Sequence, residues 1–263
     1  MRLSPSPLLL GLLALAACKP DPRYLTGTVT DVFGKPIPDA IVLVEGWDSR
    51  VTTDAAGAFQ LEATATGAVR LVAGADNYVK DFATATVPNI EDAPMPQVVF
   101  ALWNKPEQPG FYAKGQAELV HLGASKVTAL GSELSEMHGV RDIPELDVAS
   151  AKADAFLFGS TLRSSEISQL DLKLFSLKFL EETSVKGITG QETVEPKFWV
   201  ADVEAPFTLR GLYAEDTYVI EPDGTLAAGI YAFAPKGILL ETTPGSLDKI
   251  PAEMRVVYPF EIK

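Results

Sequence analysis

Cys18 is the residue whose type and placement most suggest chemistry. It is the one cysteine among 263 residues and directly follows an apolar run at residues 8–17 that ends in Ala16 and Ala17. One positive residue, Arg2, precedes that run. A short basic start, an apolar stretch too short to cross a bilayer comfortably and small residues at a cleavage point make a signal-peptide pattern. With no second cysteine there is no internal disulfide, so stability must come from packed cores. Other chemistry-bearing residues are sparse. His121 and His138 are far apart, with neither a His-x-x-x-His pair nor a cysteine partner, so a structural or solvent-exposed role is favoured over metal binding. Glu181-Glu182 and Glu91-Asp92 are adjacent carboxylates; on a strand, neighbours point to opposite faces, and a solvated pair is the default. Ser246-Leu-Asp-Lys249 places a serine three positions before a lysine, a spacing that can serve a nucleophile and its base. No Gly-x-Ser-x-Gly, phosphate loop or dinucleotide fingerprint occurs.

Leu15-Ala16-Ala17-Cys18 resembles the lipobox of bacterial lipoproteins. That resemblance implies removal of residues 1–17 as a signal peptide, acylation of Cys18, and a mature chain that begins at the lipidated cysteine. Where an Asp after the cysteine marks inner-membrane retention in Gram-negative members, this chain has Lys19, which implies the outer membrane. Ser246-x-x-Lys249 is similar to the serine motif of penicillin-recognising enzymes. It lies beside Pro244 and Gly245 near the C-terminus, without the companion motifs or helical domain that such chemistry requires, so an enzyme is not expected.

Composition narrows the partners. The formal net charge is −13, and loss of residues 1–17 removes one basic residue and no acidic one, giving −14. An acidic chain does not suit nucleic acid, which calls for clustered Lys and Arg. Nor does it suit electrostatic adhesion to anionic lipid, so attachment to a membrane must come from acyl chains on Cys18. After Cys18 no apolar run reaches about 18 residues, the length of a membrane-spanning helix.

Residues 18–23, with Pro20 and Pro22, read as an extended tether. From Tyr24 the chain turns to short β-type runs at residues 25–30, 40–45, 50–53, 58–61, 69–73 and 97–102, separated by Gly, Pro and Asp. That spacing predicts an antiparallel sandwich. Gly34 and Gly57 suit turns with positive φ, Asp31 and Asp54 suit Asx-type turns, and Phe59 and Leu61 should share the inner face. A calcium site at Asp31, Asp39 and Asp54 is not favoured, because calcium takes six or more oxygens from closely spaced acidic loops. Gly27-Thr-Val-Thr-Asp31, Gly34-Lys-Pro-Ile-Pro-Asp-Ala40, Thr53-Asp54-Ala-Ala-Gly57-Ala-Phe59 and Gly74-Ala-Asp-Asn-Tyr78 together resemble the carboxypeptidase regulatory-like domain. The resemblance implies a transthyretin-like β-sandwich, non-catalytic, that braces or binds its neighbours.

Residues 88–96 read as a loop within this first module and 104–110 as the linker, which sets the modules at 24–103 and 111–263. The second half reads as β-rich. Residues 115–127 suggest two short strands and 132–138 a short helix or loop with Ser132 as cap. Leu170, Leu172 and Leu174 alternate, and Leu177 and Phe179 continue after a one-residue shift, which predicts a strand with a bulge; a helix over 165–182 is the competing reading. Residues 218–233 resemble a hairpin of uncharacterised bacterial surface β domains, with a turn at Pro222-Asp-Gly224 and Tyr218 across from Tyr231. Trp47, Trp103, Trp199, Phe111, Tyr112 and Phe198 are expected in the core or at the module boundary rather than as an aromatic binding surface.

The expected fold class is all-β, a transthyretin-like antiparallel β-sandwich followed by a second β-rich domain. The expected function is that of a lipid-anchored cell-envelope lipoprotein, a non-catalytic binding or scaffold protein without cofactor or metal. Its partners are the membrane, through the lipid on Cys18, and envelope proteins or polysaccharide. Two other readings are an accessory component of an outer-membrane transport or secretion system and an enzyme with an unrecognised site in residues 110–263.

Overall fold

The computed structural model describes residues 22–90, 92–115, 117–143, 154–162, 164–213, 216–240 and 242–263. The chain is nearly all β. Its first part contains β1 (Tyr24–Asp31), β2 (Ile41–Val44), β3 (Arg50–Thr52), β4 (Ala58–Glu62), β5 (Gly67–Gly74), β6 (Asp81–Val87) and β7 (Gln97–Leu102). They form two sheets, β4-β1-β7 and β3-β2-β5-β6. The facing sides carry a mainly aliphatic core that includes Leu25, Val29, Val42, Leu61, Leu71 and Leu102, with Phe59 and Phe100 in contact. Phe59 and Leu61 are buried while Gln60 and Glu62 between and beyond them are exposed, the period of two that a half-covered sheet demands.

One pairing departs from the antiparallel rule. β1 and β7 run parallel, with Thr26 opposite Gln97 and Asp31 opposite Leu102. The chain leaves β1 for the other sheet, returns as β4 antiparallel to β1, crosses again through β5 and β6, and comes back as β7 on the other side of β1 and in its direction. The two backbones close tightly at Gly27, where a Cβ would fall 1.8 Å from the Val98 carbonyl oxygen and 2.8 Å from the Phe59 ring. Only glycine leaves that room. A consequence is that the chain enters the sandwich at one pole, by Tyr24, and leaves it at the other, by Leu102.

The second part contains β8 (Gly110–Lys114), β9 (Leu119–His121), β10 (Ser125–Gly131), β11 (Glu136–Val140), β12 (Phe156–Gly159), α1 (Ser164–Gln169), β13 (Leu172–Leu180), β14 (Thr183–Gly187), β15 (Gly190–Val194), β16 (Phe198–Glu204), β17 (Phe207–Gly211), β18 (Thr217–Pro222), β19 (Gly229–Pro235), α2 (Lys236–Leu240) and β20 (Val256–Ile262). Six strands close a barrel in the order β10-β11-β16-β13-β19-β20, and five form an open sheet, β17-β18-β12-β8-β9. β14 and β15 make a separate hairpin. In β19, Ala232 and Ala234 face the barrel interior beside Phe175 and Val257, while Tyr231 and Phe233 face the open sheet. A narrow barrel needs small interior side chains, and the alternation places the large aromatics where there is space between the layers. There Phe111 stacks between Phe158 and Phe233, at 4.3 and 4.8 Å.

Several local expectations are corrected. Residues 136–140 form β11 rather than a helix or loop, and Ser132 instead closes a turn by accepting from the Leu134 amide. The stretch 165–182 divides into α1 and β13. β13 carries the bulge, between Phe175 and Leu177, and the Ser176 hydroxyl fills the gap by bonding the Val203 amide and carbonyl. Tyr218 and Tyr231 do not pair across a hairpin: β18 lies in the open sheet and β19 in the barrel. Both rings still meet one aromatic core. The loop at 222–229 bends the chain from one layer to the other, and the Tyr231 hydroxyl donates to the Ala227 carbonyl across it, 3.0 Å away.

Candidate functional site

Cys18 lies outside the described residues, but the structure shows how the chain is held at Arg23. The Ala63 amide donates to the Arg23 carbonyl, and the Arg23 guanidinium donates to the Pro88 carbonyl, 2.8 Å away, and to Met95 Sδ. Arg23 is therefore pinned to the loop at 88–96, at the pole where β1 begins. Four residues lie between it and Cys18, a reach of at most about 18 Å. From that pole β1 runs eight residues to Asp31, an extent of about 23 Å at 3.3 Å per step.

The opposite pole meets the second module. Trp103 and Val79 pack with Tyr112, Leu157, Leu212 and Val219 in one buried cluster. Around it the Arg210 guanidinium donates to both oxygens of Asp81, at 2.9 and 3.3 Å. The Tyr213 amide donates to the Lys80 carbonyl and the Lys105 amide to the Asn77 carbonyl. A fork-to-fork guanidinium pair fixes direction as well as distance.

A polar cluster at the end of the barrel unites residues that are far apart in sequence. His138, on β11, is fully buried. Its Nδ1 lies 2.7 Å from the Ile238 carbonyl oxygen, and its Nε2 lies 2.6 Å from Glu136 Oε1 and 3.5 Å from Ser246 Oγ. Glu136 and His138 are two apart on one strand and so share a face. Glu136 Oε2 accepts from the Gly245 amide, 2.8 Å away, and the Leu247 amide is also directed at this carboxylate. Partial burial pushes the Glu136 carboxyl up, but the Gly245 amide, the His138 ring and the Leu247 amide outweigh it and hold it below the ordinary carboxylate value.

A carbonyl can only accept, so Nδ1 carries a proton, assigned here from its hydrogen-bond partner. Nε2 is already engaged by the Glu136 carboxyl, 2.6 Å away. Nε2 then has no free lone pair with which to take the Ser246 proton. The cluster resembles a serine–histidine–carboxylate triad in composition but differs in wiring, because serine and carboxylate share one ring nitrogen. It works as a latch that ties residues 242–250 and α2 to β11. Sequence reading singled out Ser246, Lys249 and, in a structural or solvent-exposed role, His138, but missed Glu136 beside it. The Glu-x-His spacing on a strand was the available signal, and the helix-or-loop expectation for that stretch hid it.

The remaining candidates resolve as structure. Asp31 Oδ1 accepts from the Phe33 and Lys35 amides, and Asp54 Oδ1 from those of Ala56 and Ala58. These are Asx turns that hold the module's loops. Asp39 takes a left-handed φ of 57°, and Gly34 and Gly57 have φ of 85° and 72°. Among the described residues no three His, Cys, Asp or Glu side chains group as metal ligands. The His121 ring sits edge-on to Tyr112 and under Gly110, where a Cβ would fall 2.5 Å from its Nε2. Trp103, Phe111, Tyr112 and Phe198 are buried, and Trp47 and Trp199 half-buried. Glu181 and Glu182 follow β13 on the surface, and Glu91 lies outside the described residues.

Comparison with known families matches residues 24–100 to the carboxypeptidase regulatory-like domain. The first module is a carboxypeptidase regulatory-like domain. The match ends within β7, so the barrel and the open sheet lie outside it. No curated protein matches the chain. The regulatory-like module thus has its two poles assigned: Arg23 and the 88–96 loop at one, Trp103 and the second module at the other. No helix among the described residues is long and apolar enough to cross a membrane.

Proposed function

We propose that this protein is a lipid-anchored cell-envelope lipoprotein, attached through Cys18 to the outer membrane of a Gram-negative bacterium. Its regulatory-like module is a non-catalytic spacer that holds the second β domain away from the bilayer. That second domain carries the binding role, towards envelope proteins or polysaccharide.

The observation that carries this reading is the parallel β1–β7 pair. An ordinary hairpin-built sandwich with antiparallel first and last strands returns the chain to the pole where it entered. Here the chain enters by a short tether at one pole and leaves at the other, where Trp103 and the Asp81–Arg210 pair fix the second domain. The module is thus wired in series between anchor and domain. The sole cysteine at the end of a signal-like apolar run supplies the anchor.

The test is labelling with a fatty-acid analogue in cells. Wild-type protein should take up label and fractionate with membranes. The Cys18→Ala protein should take up none and fractionate away from them. Label retained by Cys18→Ala would refute the anchor.

A further inference from the structure

Beside the Glu136–His138 latch lies a pocket of about 460 Å³. We propose that it binds a single-chain amphiphile with an anionic head, such as a fatty acid, its tail against the apolar wall and its head at Ser246 and Lys249.

The pocket has two unlike sides. One is apolar: Leu170, Pro235, Ile238, Ile250 and Met254, drawn from three separate segments of the chain. Met254, 54% exposed, stands at the edge as a flexible and polarizable side chain. The other side is a polar ridge. The Ser246 amide donates to the Thr243 carbonyl, and the Lys249 amide donates to the Ser246 carbonyl. Successive i to i+3 bonds give three residues per turn, so Thr243, Ser246 and Lys249 stack along one face. All three line the pocket, while Leu247 points away into the barrel core. The Ser-x-x-Lys spacing thus builds a ridge with a hydroxyl and an ammonium on it, rather than a nucleophile and its base.

Lys249 is the one charged side chain among the described residues that line the pocket, in an otherwise acidic chain. The Glu136 carboxylate of the latch is engaged by His138 and the Gly245 and Leu247 amides, and Asp248 pairs with Arg255. Lys249 makes no ion pair among the described residues, although the chain carries 35 acidic side chains. A pocket of a few hundred Å³, mostly apolar with a few converging polar groups, is the usual form of a small-molecule site. One cation at one edge of an apolar wall fits a monoanion with one tail. The latch positions the ridge, because Glu136 and His138 hold residues 242–250 and Ile238 in place.

Gly237 offers a clean way to close the pocket. It lines the pocket, is exposed, has an ordinary helical φ, and an added Cβ would meet nothing within 4 Å. Purified full-length protein is titrated with 11-dansylaminoundecanoate, and the probe is displaced by dodecanoate, dodecanol and dodecyltrimethylammonium. Saturable binding is expected, with dodecanoate displacing the probe at least about tenfold better than dodecanol and the cation weakest. Gly237→Phe should abolish binding while the melting temperature holds. Lys249→Gln, at an exposed position, should fold normally and erase the preference for dodecanoate over dodecanol. Absence of saturable binding overturns the proposal. So does unchanged binding in folded Gly237→Phe, equal displacement by the cationic amphiphile, or a preference for dodecanoate that survives Lys249→Gln.

Discussion

The two modules differ in how they hold the turns best defined in each. In the regulatory-like module two turns are closed within a few residues: Asp31 caps amides two and four positions on, and Asp54 does the same. In the second domain the corresponding work is done across the chain. The Glu136 carboxylate holds the Gly245 amide 109 positions away, and His138 holds the Ile238 carbonyl 100 positions away. The cores differ likewise: aliphatic side chains fill the sandwich, while stacked phenylalanines join barrel to open sheet. Local closure makes a unit that folds from its own turns and transmits position. Long-range closure makes one whose shape depends on a few buried polar contacts, and so on conditions.

Substitutions can sharpen or break that contrast. The largest expected effect is at the junction. Trp103→Ala removes the indole from a buried cluster shared by both modules and should cost about 4 kcal/mol. Calorimetry should show the modules melting separately in this variant and together in the wild type. Gly27→Val forces a side chain into the Val98 carbonyl and should cost about 3 kcal/mol, confined to the first transition of a Trp103→Ala background.

Glu136→Gln strikes the latch and should cost about 2 kcal/mol at neutral pH through the lost charge-assisted bonds. Its pH dependence has a definite sign. The folded carboxyl sits below its ordinary value of 4.5, so on acidification the unfolded chain takes up the proton first. Stability from this group is fully present above pH 4.5 and drains away as pH falls through the folded value. Wild type and Glu136→Gln should therefore converge in acid-melting curves below that pH, with the second domain losing stability. Asp54→Ala, an exposed turn cap, should cost about 1 kcal/mol, in the first module alone and with no effect on the latch.

The same contrast explains what the sequence disclosed. The first module was legible because its signals are local: Asp31, Gly34, Asp54 and Gly57 mark turns, and Phe59 and Leu61 mark a face. The parallel β1–β7 pair was not legible, since nothing near Gly27 names Val98 as its neighbour. In the second domain the strands and even the bulge after Phe175 could be read from leucine spacing. Their assembly could not. Tyr218 and Tyr231 flank a plausible hairpin turn, yet the strands go to different layers because each aromatic face seeks the shared core. Ser246 could be noticed but not its surroundings, since Glu136 and His138 reach it only through barrel closure.

The central claim is that anchor, spacer and second domain lie in series. It can be measured by energy transfer on vesicles that carry the lipidated protein and an acceptor lipid. With Cys18 acylated, a single introduced cysteine takes the donor, at Ile90→Cys near the Arg23 pole or at Lys35→Cys near the Trp103 pole. Both positions are exposed. The account predicts strong transfer from residue 90 and weak transfer from residue 35, with the two donors differing in height by about 20 Å. Equal transfer from both positions, or the reverse order, would contradict it.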